Sequence, residues 1–164
     1  LYSTPPPFLK KRFPLKNTVP PAGAAISNLM GGAAVGNIPA SLLYSSSLFF
    51  TLIFALSSVG DLTDYKGDET IGVETIVVRY GPEFTMKLSG ITFLIVSAIT
   101  IVSYSFFGFN ILAPILITTS SLSMAWICFS LRKNWHDPEY CFATHKRIVL
   151  LLSLFQISFF IGVL

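Results

Sequence analysis

The sequence predicts an all-α protein, a polytopic transmembrane helix bundle. Hydrophobic residues make up 52% of its 164 positions and charged residues only 12%, about half the charged share that is typical of a soluble domain. Apolar residues are gathered in five segments, each close to the ~20 residues that a helix needs to cross a bilayer. These predicted spans are about 18–38, 41–59, 85–107, 111–131 and 145–164.

The first predicted span, 18–38, is uncharged and rich in alanine and glycine. Small residues allow a helix to pack very close to its neighbours within lipid. Asn28 lies in the middle of this span and needs a polar partner at membrane depth. We expect it either to hydrogen-bond to a neighbouring helix or to line a cavity that contains substrate.

Two kinds of connection separate the five spans. A turn at Asn37 and a turn at Gly108 carry no charge, whereas the connections 60–84 and 132–139 are strongly polar. The longer of these, about 60–84, is predicted to form a cap over one membrane face. With five spans, the basic opening segment and both polar connections emerge on the same side. The positive-inside rule predicts that this side of the multi-pass integral membrane protein is cytoplasmic.

Four carboxylates lie within the stretch 61–69, immediately after the second span. If residues 61–68 were helical, spacings of three and four would place Asp61, Asp64 and Asp68 on one face. Three neighbouring carboxylates repel one another unless a cation joins them. Carboxylate oxygens suit Mg²⁺, which bridges such groups to substrate phosphates. The alternative interpretation is a solvated acidic loop between two helices.

Basic residues in two segments are candidates for binding an anion. The opening segment contains Lys10, Lys11, Arg12 and Lys16, and this basic segment could anchor the chain at the cytoplasmic face or clamp a phosphate. Lys66 and Arg79 lie in the acidic connection, where they could contact a diphosphate or balance the carboxylates. A cation site above an apolar cavity suits a polyprenyl diphosphate. Nothing in the sequence predicts a nucleic-acid partner.

Two motifs resemble those of one enzyme family. The pattern Asp61-x-x-Asp64-x-x-x-Asp68, which closes with Val78-Arg79-Tyr80-Gly81, resembles the second aspartate-rich motif of the UbiA-type intramembrane prenyltransferases. The opening Tyr2-Ser3-x-Pro5-Pro6-x-x-Leu9-Lys10-Lys11-Arg12 resembles the Tyr/Lys-Arg loop of that family. The resemblance implies part of a nine-helix bundle that transfers a prenyl group to an aromatic or lipid acceptor in quinone, chlorophyll-like or ether-lipid biosynthesis. It also implies Mg²⁺ ligands at the three aspartates, and diphosphate or acceptor contacts at Tyr2, Lys10, Lys11 and Arg12.

The chain departs from the family pattern in its acidic residues. No Asp or Glu precedes Asp61, so the first aspartate-rich motif is missing, and five of nine helices are expected here. The chain also begins at Leu1 without an initiator methionine. We therefore expect a fragment, or one part of a split enzyme, that needs an N-terminal half or a partner chain with the first motif. The alternative is an inactive or structural membrane subunit, or a transporter fragment, whose acidic loop only binds a cation or a partner.

Overall fold

The computed structural model describes residues 11–163, and in this part of the chain the regular structure is entirely helical. The prediction of an all-α bundle is confirmed. A 3₁₀ turn, Tyr104–Phe107, extends the fifth α-helix. The seven α-helices are α1 Leu15–Ala34, α2 Ala40–Gly60, α3 Tyr65–Thr70, α4 Ile76–Tyr80, α5 Pro82–Ser103, α6 Leu112–Leu131 and α7 Pro138–Val163.

Four helical segments are long and apolar enough to cross a membrane, and they coincide with four of the five predicted spans. Helix α1 is not among them, although it covers most of the predicted span 18–38. Its alanines and glycines add little hydropathy, and it contains Pro20 and Pro21. The prediction of five spans is therefore supported for the segments Ala40–Gly60, Pro82–Phe107, Leu112–Leu131 and Pro138–Gly162 only.

The last helix begins seven residues before its predicted start at 145. Asp137 caps it, because its Oδ1 atom accepts hydrogen bonds from the backbone N–H groups of Glu139 at 2.9 Å and Tyr140 at 3.3 Å. Pro138 occupies the first helical position, where its fixed φ fits and its missing N–H is not needed. The aspartate cap thus extends the helix through a polar segment that hydropathy alone assigns to a loop.

The long helices pack as antiparallel neighbours around one apolar core. Helix α2 contacts α1, α5 and α7, while α6 lies between α5 and α7. Side chains from α2, α5, α6 and α7 fill the centre of the bundle, and the largest fully buried ones include Leu52, Met86, Phe93, Ile117, Met124, Ile148 and Phe155. Because α2 packs against three other helices, its position is fixed, and so is the point where the following connection begins.

The bundle has a charged end and an uncharged end. At the uncharged end the rings of Tyr44 and Phe107 stack with centroids 4.2 Å apart, and Asn110 Nδ2 donates to the carbonyl oxygen of Ile161 at 2.9 Å. At the charged end Arg132 pairs with Glu83. The predicted cap, 60–84, lies there and folds into the two short helices α3 and α4. The three charged segments therefore meet at one end of the bundle, as the five-span topology predicts.

Candidate functional site

A lysine lies between two aspartates at the charged end. Lys16, in the first turn of α1, places its Nζ atom 3.1 Å from Asp61 Oδ1 and also hydrogen-bonds to Asp68 Oδ2. Asp61 follows the last residue of α2, and Asp68 belongs to α3. Each aspartate is only 8% exposed. Asp61 and Asp68, here called the carboxylate pair, therefore converge on one position, which an ammonium group occupies.

Asn17 fixes this arrangement from the neighbouring position on α1. Its Nδ2 atom donates to Asp61 Oδ2 at 2.7 Å, and its Oδ1 atom accepts from the backbone N–H of Ile76 at 3.2 Å. The side chain is 1% exposed. One buried amide thus joins the start of α1, the end of α2 and the start of α4, and it orients one member of the carboxylate pair.

The environment shifts the pKa values of both charged partners. Burial raises the pKa of Asp61, although the charge of Lys16 and the hydrogen bonds from Lys16 and Asn17 oppose that rise. Burial acts to lower the pKa of Lys16, but the hydrogen bonds and charges of Asp68 and Asp61 outweigh it and hold that pKa above its usual value. Lys16 therefore carries a positive charge at neutral pH, where the carboxylate pair needs one.

The third predicted ligand, Asp64, does not join the pair. Helix α2 ends at Gly60, a turn follows, and α3 begins at Tyr65, so residues 61–68 do not form one helix. The condition under which the three aspartates would share a helix face is therefore not met. Asp64 stands at the start of α3 and is exposed. Within residues 11–163, no three His, Cys, Asp or Glu side chains are grouped closely enough to hold a metal ion.

The carboxylate pair by itself has the chemistry of a Mg²⁺ site. Mg²⁺ is commonly held by one or two carboxylates, with water and substrate phosphates completing its octahedral shell. Asp61 and Asp68 supply two carboxylates from different helices, and the Nζ atom of Lys16 marks a cation position between them. The residues present therefore fit a divalent cation that shares its shell with a phosphate ligand.

Four of the predicted anion-binding residues, in the opening segment and in the acidic connection, lie in the part of the chain that the structure describes. The backbone carbonyl of Lys11 accepts from the N–H of Glu74 at 3.4 Å, which joins the basic opening segment to the acidic connection. Arg12 is exposed. The Arg79 guanidinium, also exposed, lies 4.7 Å from the ring centroid of Phe13. Lys66 lines a separate cavity of about 170 Å³ near Trp135.

Two predicted residues, Tyr2 and Lys10, lie outside the described residues. Conversely, Lys16 and Asn17 contact the carboxylate pair directly, and the sequence predicts this pairing for neither residue. The available signal for Lys16 is its place at the end of the basic opening segment. Asn17 has no comparable signal, because an asparagine beside a predicted membrane span is also common in turns and helix caps.

Asn28 bonds to a neighbouring helix and also lines a cavity. Its Nδ2 atom donates to Ser46 Oγ on α2 at 2.8 Å, which is an interhelical hydrogen bond. It also lines a cavity of about 420 Å³ between α1, α2 and α7. The residues around this cavity are Ala24, Ser27, Asn28, Ser45, Phe49, Gln156 and Phe159. A second cavity of about 440 Å³, also lined by Asn28, continues toward the uncharged end.

These features define an integral membrane protein, a helical bundle with a carboxylate pair at one end and cavities along its first two helices. A model of the UbiA prenyltransferase family matches residues 1–160, so the chain belongs to that family. It is 34% identical over 106 residues to a digeranylgeranylglyceryl phosphate synthase from Sulfurisphaera tokodaii. That match covers 63% of this chain and 38% of the synthase. No solved structure matches the chain.

Proposed function

We propose that the protein transfers a polyprenyl group from a prenyl diphosphate to a hydrophobic acceptor within the membrane, and that this transfer depends on Mg²⁺. The observation that carries the proposal is the convergence of Asp61 and Asp68 on one cation position at the end of an apolar bundle. Membership of the UbiA prenyltransferase family supports the same chemistry. This chain supplies the second aspartate-rich motif.

Each part of the charged end has a role in this proposal. Asp61 and Asp68 hold the cation, and Asn17 keeps Asp61 oriented through its 2.7 Å hydrogen bond. Bound Mg²⁺ would neutralise the negative charge that develops on the leaving diphosphate. Around it, the basic side chains bind diphosphate oxygens, and Asp64 remains a candidate for a further, water-mediated contact. The basic side chains proposed for this role are Lys10, Lys11, Arg12, Lys66 and Arg79, with Tyr2 beside them.

The cavities lined by Asn28 suit the hydrocarbon tail of the donor. Their walls are mainly apolar and lie between α1, α2 and α7. Burial of the tail there would keep water away from the allylic carbon after its bond to the diphosphate breaks. By the positive-inside rule the charged end faces the cytoplasm. The diphosphate group of the donor therefore lies on the aqueous cytoplasmic side.

The relative that aligns with 106 residues of this chain favours one acceptor class. It is a digeranylgeranylglyceryl phosphate synthase, so we propose a glyceryl phosphate lipid as the acceptor in preference to an aromatic quinone or chlorophyll-like precursor. This chain spans 38% of that relative's length. We propose that the first aspartate-rich motif is supplied by an N-terminal half or a partner chain.

The direct test is prenyl transfer by the whole protein in membranes, with labelled geranylgeranyl diphosphate, a glyceryl phosphate lipid and Mg²⁺. We expect Asp68→Asn to lower the rate by about 100-fold or more, since removal of one electrostatic contact to a reacting group commonly has this effect. Glu69→Gln is the matched control, because Glu69 is the exposed neighbour of Asp68 on α3. Equal rates in the parent and in Asp68→Asn would contradict the proposal and favour a structural subunit.

A further inference from the structure

We propose that Lys16 is an internal countercation that occupies the cation position of the carboxylate pair and competes with the divalent metal for it. The inference rests on the proposed function for the identity of that metal. It concerns a residue of this chain that belongs to neither of the two motifs. Its consequence is that Lys16 stabilises the metal-free protein and weakens metal binding at the same time.

The first step of the argument is the burial of the two carboxylates. Asp61 and Asp68 are each 8% exposed, and they contact the same ammonium group. Two such charges without a counterion would repel each other in a medium of low dielectric constant. A positive charge at this position is therefore required for the charged end to keep its structure when no metal is bound.

The second step is that Lys16 neutralises the pair incompletely. One ammonium group with charge +1 faces two carboxylates with total charge −2, and this leaves one negative charge. A divalent cation at the same position removes that remainder. It would also take carboxylate oxygens as direct ligands. Charge and direct ligation would both favour replacement of Lys16 by the metal.

The third step is that Asp61 has a second partner besides Lys16. The ammonium group of Lys16 ends a flexible four-carbon side chain, which is 18% exposed and therefore borders solvent. Asn17 holds Asp61 Oδ2 independently and is itself bound to the N–H of Ile76. The carboxylate of Asp61 therefore keeps its orientation when the ammonium group moves away.

The experiment measures Mn²⁺ binding to the whole protein in detergent without substrate, from the paramagnetic resonance signal of free Mn²⁺. Lys16→Met removes the competing charge, and we expect its dissociation constant to fall about tenfold relative to the parent. Without metal, the same variant should melt at a lower temperature, and saturating Mg²⁺ should raise its melting temperature more than that of the parent. Lys133→Met is the control, because Lys133 is an exposed lysine at the same end.

A second variant keeps the inference testable if Lys16→Met does not fold. Lys16→Arg retains the charge and adds a planar fork that binds carboxylates in a bidentate manner, so it should bind Mn²⁺ more weakly than the parent. Unchanged or weaker binding in Lys16→Met would overturn the inference, as would equal tightening in Lys133→Met. If neither the parent nor Lys16→Met binds Mn²⁺, the metal site of the proposed function fails together with it.

Discussion

The helix pairs α1–α2 and α5–α6 are held together in different ways. Polar side chains join α1 to α2 at the charged end and again near the middle, through Lys16 to Asp61 and through Asn28 to Ser46. Apolar packing dominates between α5 and α6, where the ring of Phe129 lies against Gly90, and Phe93 and Met124 on these helices are fully buried. A cavity of about 360 Å³ opens between the same two helices near the uncharged end, and it is lined by residues such as Ile101 and Ile115. Both cavities lined by Asn28 lie against α1 and α2. The candidate site therefore lies at the junction that polar contacts hold together.

Helix α2 packs against both of these regions and holds them together in one bundle. On one side it is held against α5, where Ser89 Oγ donates to the carbonyl oxygen of Ala55 at 3.1 Å. On its other side it faces α1 and the cavities, and Asp61 follows its last turn directly. The packing of α2 against α5 thus supplies the rigid support that a preorganised charged site needs.

The largest effect on stability is expected from the buried apolar side chains of α5. Phe93→Ala should lower the free energy of unfolding by about 3–5 kcal/mol, because it removes a fully buried ring and leaves a cavity. The measurement is equilibrium unfolding of the whole protein in mixed detergent micelles. Phe106→Ala is the control, since Phe106 is 84% exposed and should change stability little. Similar losses in the two variants would show that the α5–α6 junction is not the main source of stability.

A smaller loss is expected at the polar junction. Asn17→Ala should lower the free energy of unfolding by about 2–3 kcal/mol, because it leaves the N–H of Ile76 and one oxygen of Asp61 without their partner. It should also reduce prenyl transfer, since Asp61 loses its orientation, whereas Phe93→Ala should act through stability alone. Rates measured well below each melting temperature separate these effects. Asn134→Ala, at an exposed position of the same end, is the control. Full activity in Asn17→Ala would contradict the positioning role.

The same two regions differ in how much of them the sequence predicts. Segment hydropathy and length identify the four apolar spans, and the alternation of charged and uncharged connections predicts that the charged segments share one end. Local pattern also selects Asp61 and Asp68. It does not predict the pairing of Lys16 with Asp68, 52 residues away, because such a contact depends on how α1 packs against the cap.

The end of α2 follows from local pattern, whereas the position of Asp64 does not. The predicted span 41–59 ends one residue before α2 does at Gly60. In the structure the cap buries Val73 and Val77, and Asp64 stays exposed while Asp61 and Asp68 are buried. Local spacing does not predict this difference among the three aspartates, because it depends on how the cap packs on the bundle. The start of α7 is also predictable from the sequence, since Asp137 followed by Pro138 is a standard helix N-terminus.

The smallest expected effect compares a glycine from each region. A Cβ atom added at Gly90 would lie 2.7 Å from Phe129 Cζ, whereas a Cβ atom at Gly23 of α1 meets nothing within 4 Å. Gly90→Ala should therefore destabilise the protein by about 1 kcal/mol, since the ring of Phe129 must move. Gly23→Ala should stabilise it by about 0.5–1 kcal/mol through the higher helix propensity of alanine. Opposite signs in the same unfolding assay are the expected result. Destabilisation by Gly23→Ala of the size seen for Gly90→Ala would mean that α1 is as closely packed as α5, and that the contrast between the two junctions does not hold in the whole protein.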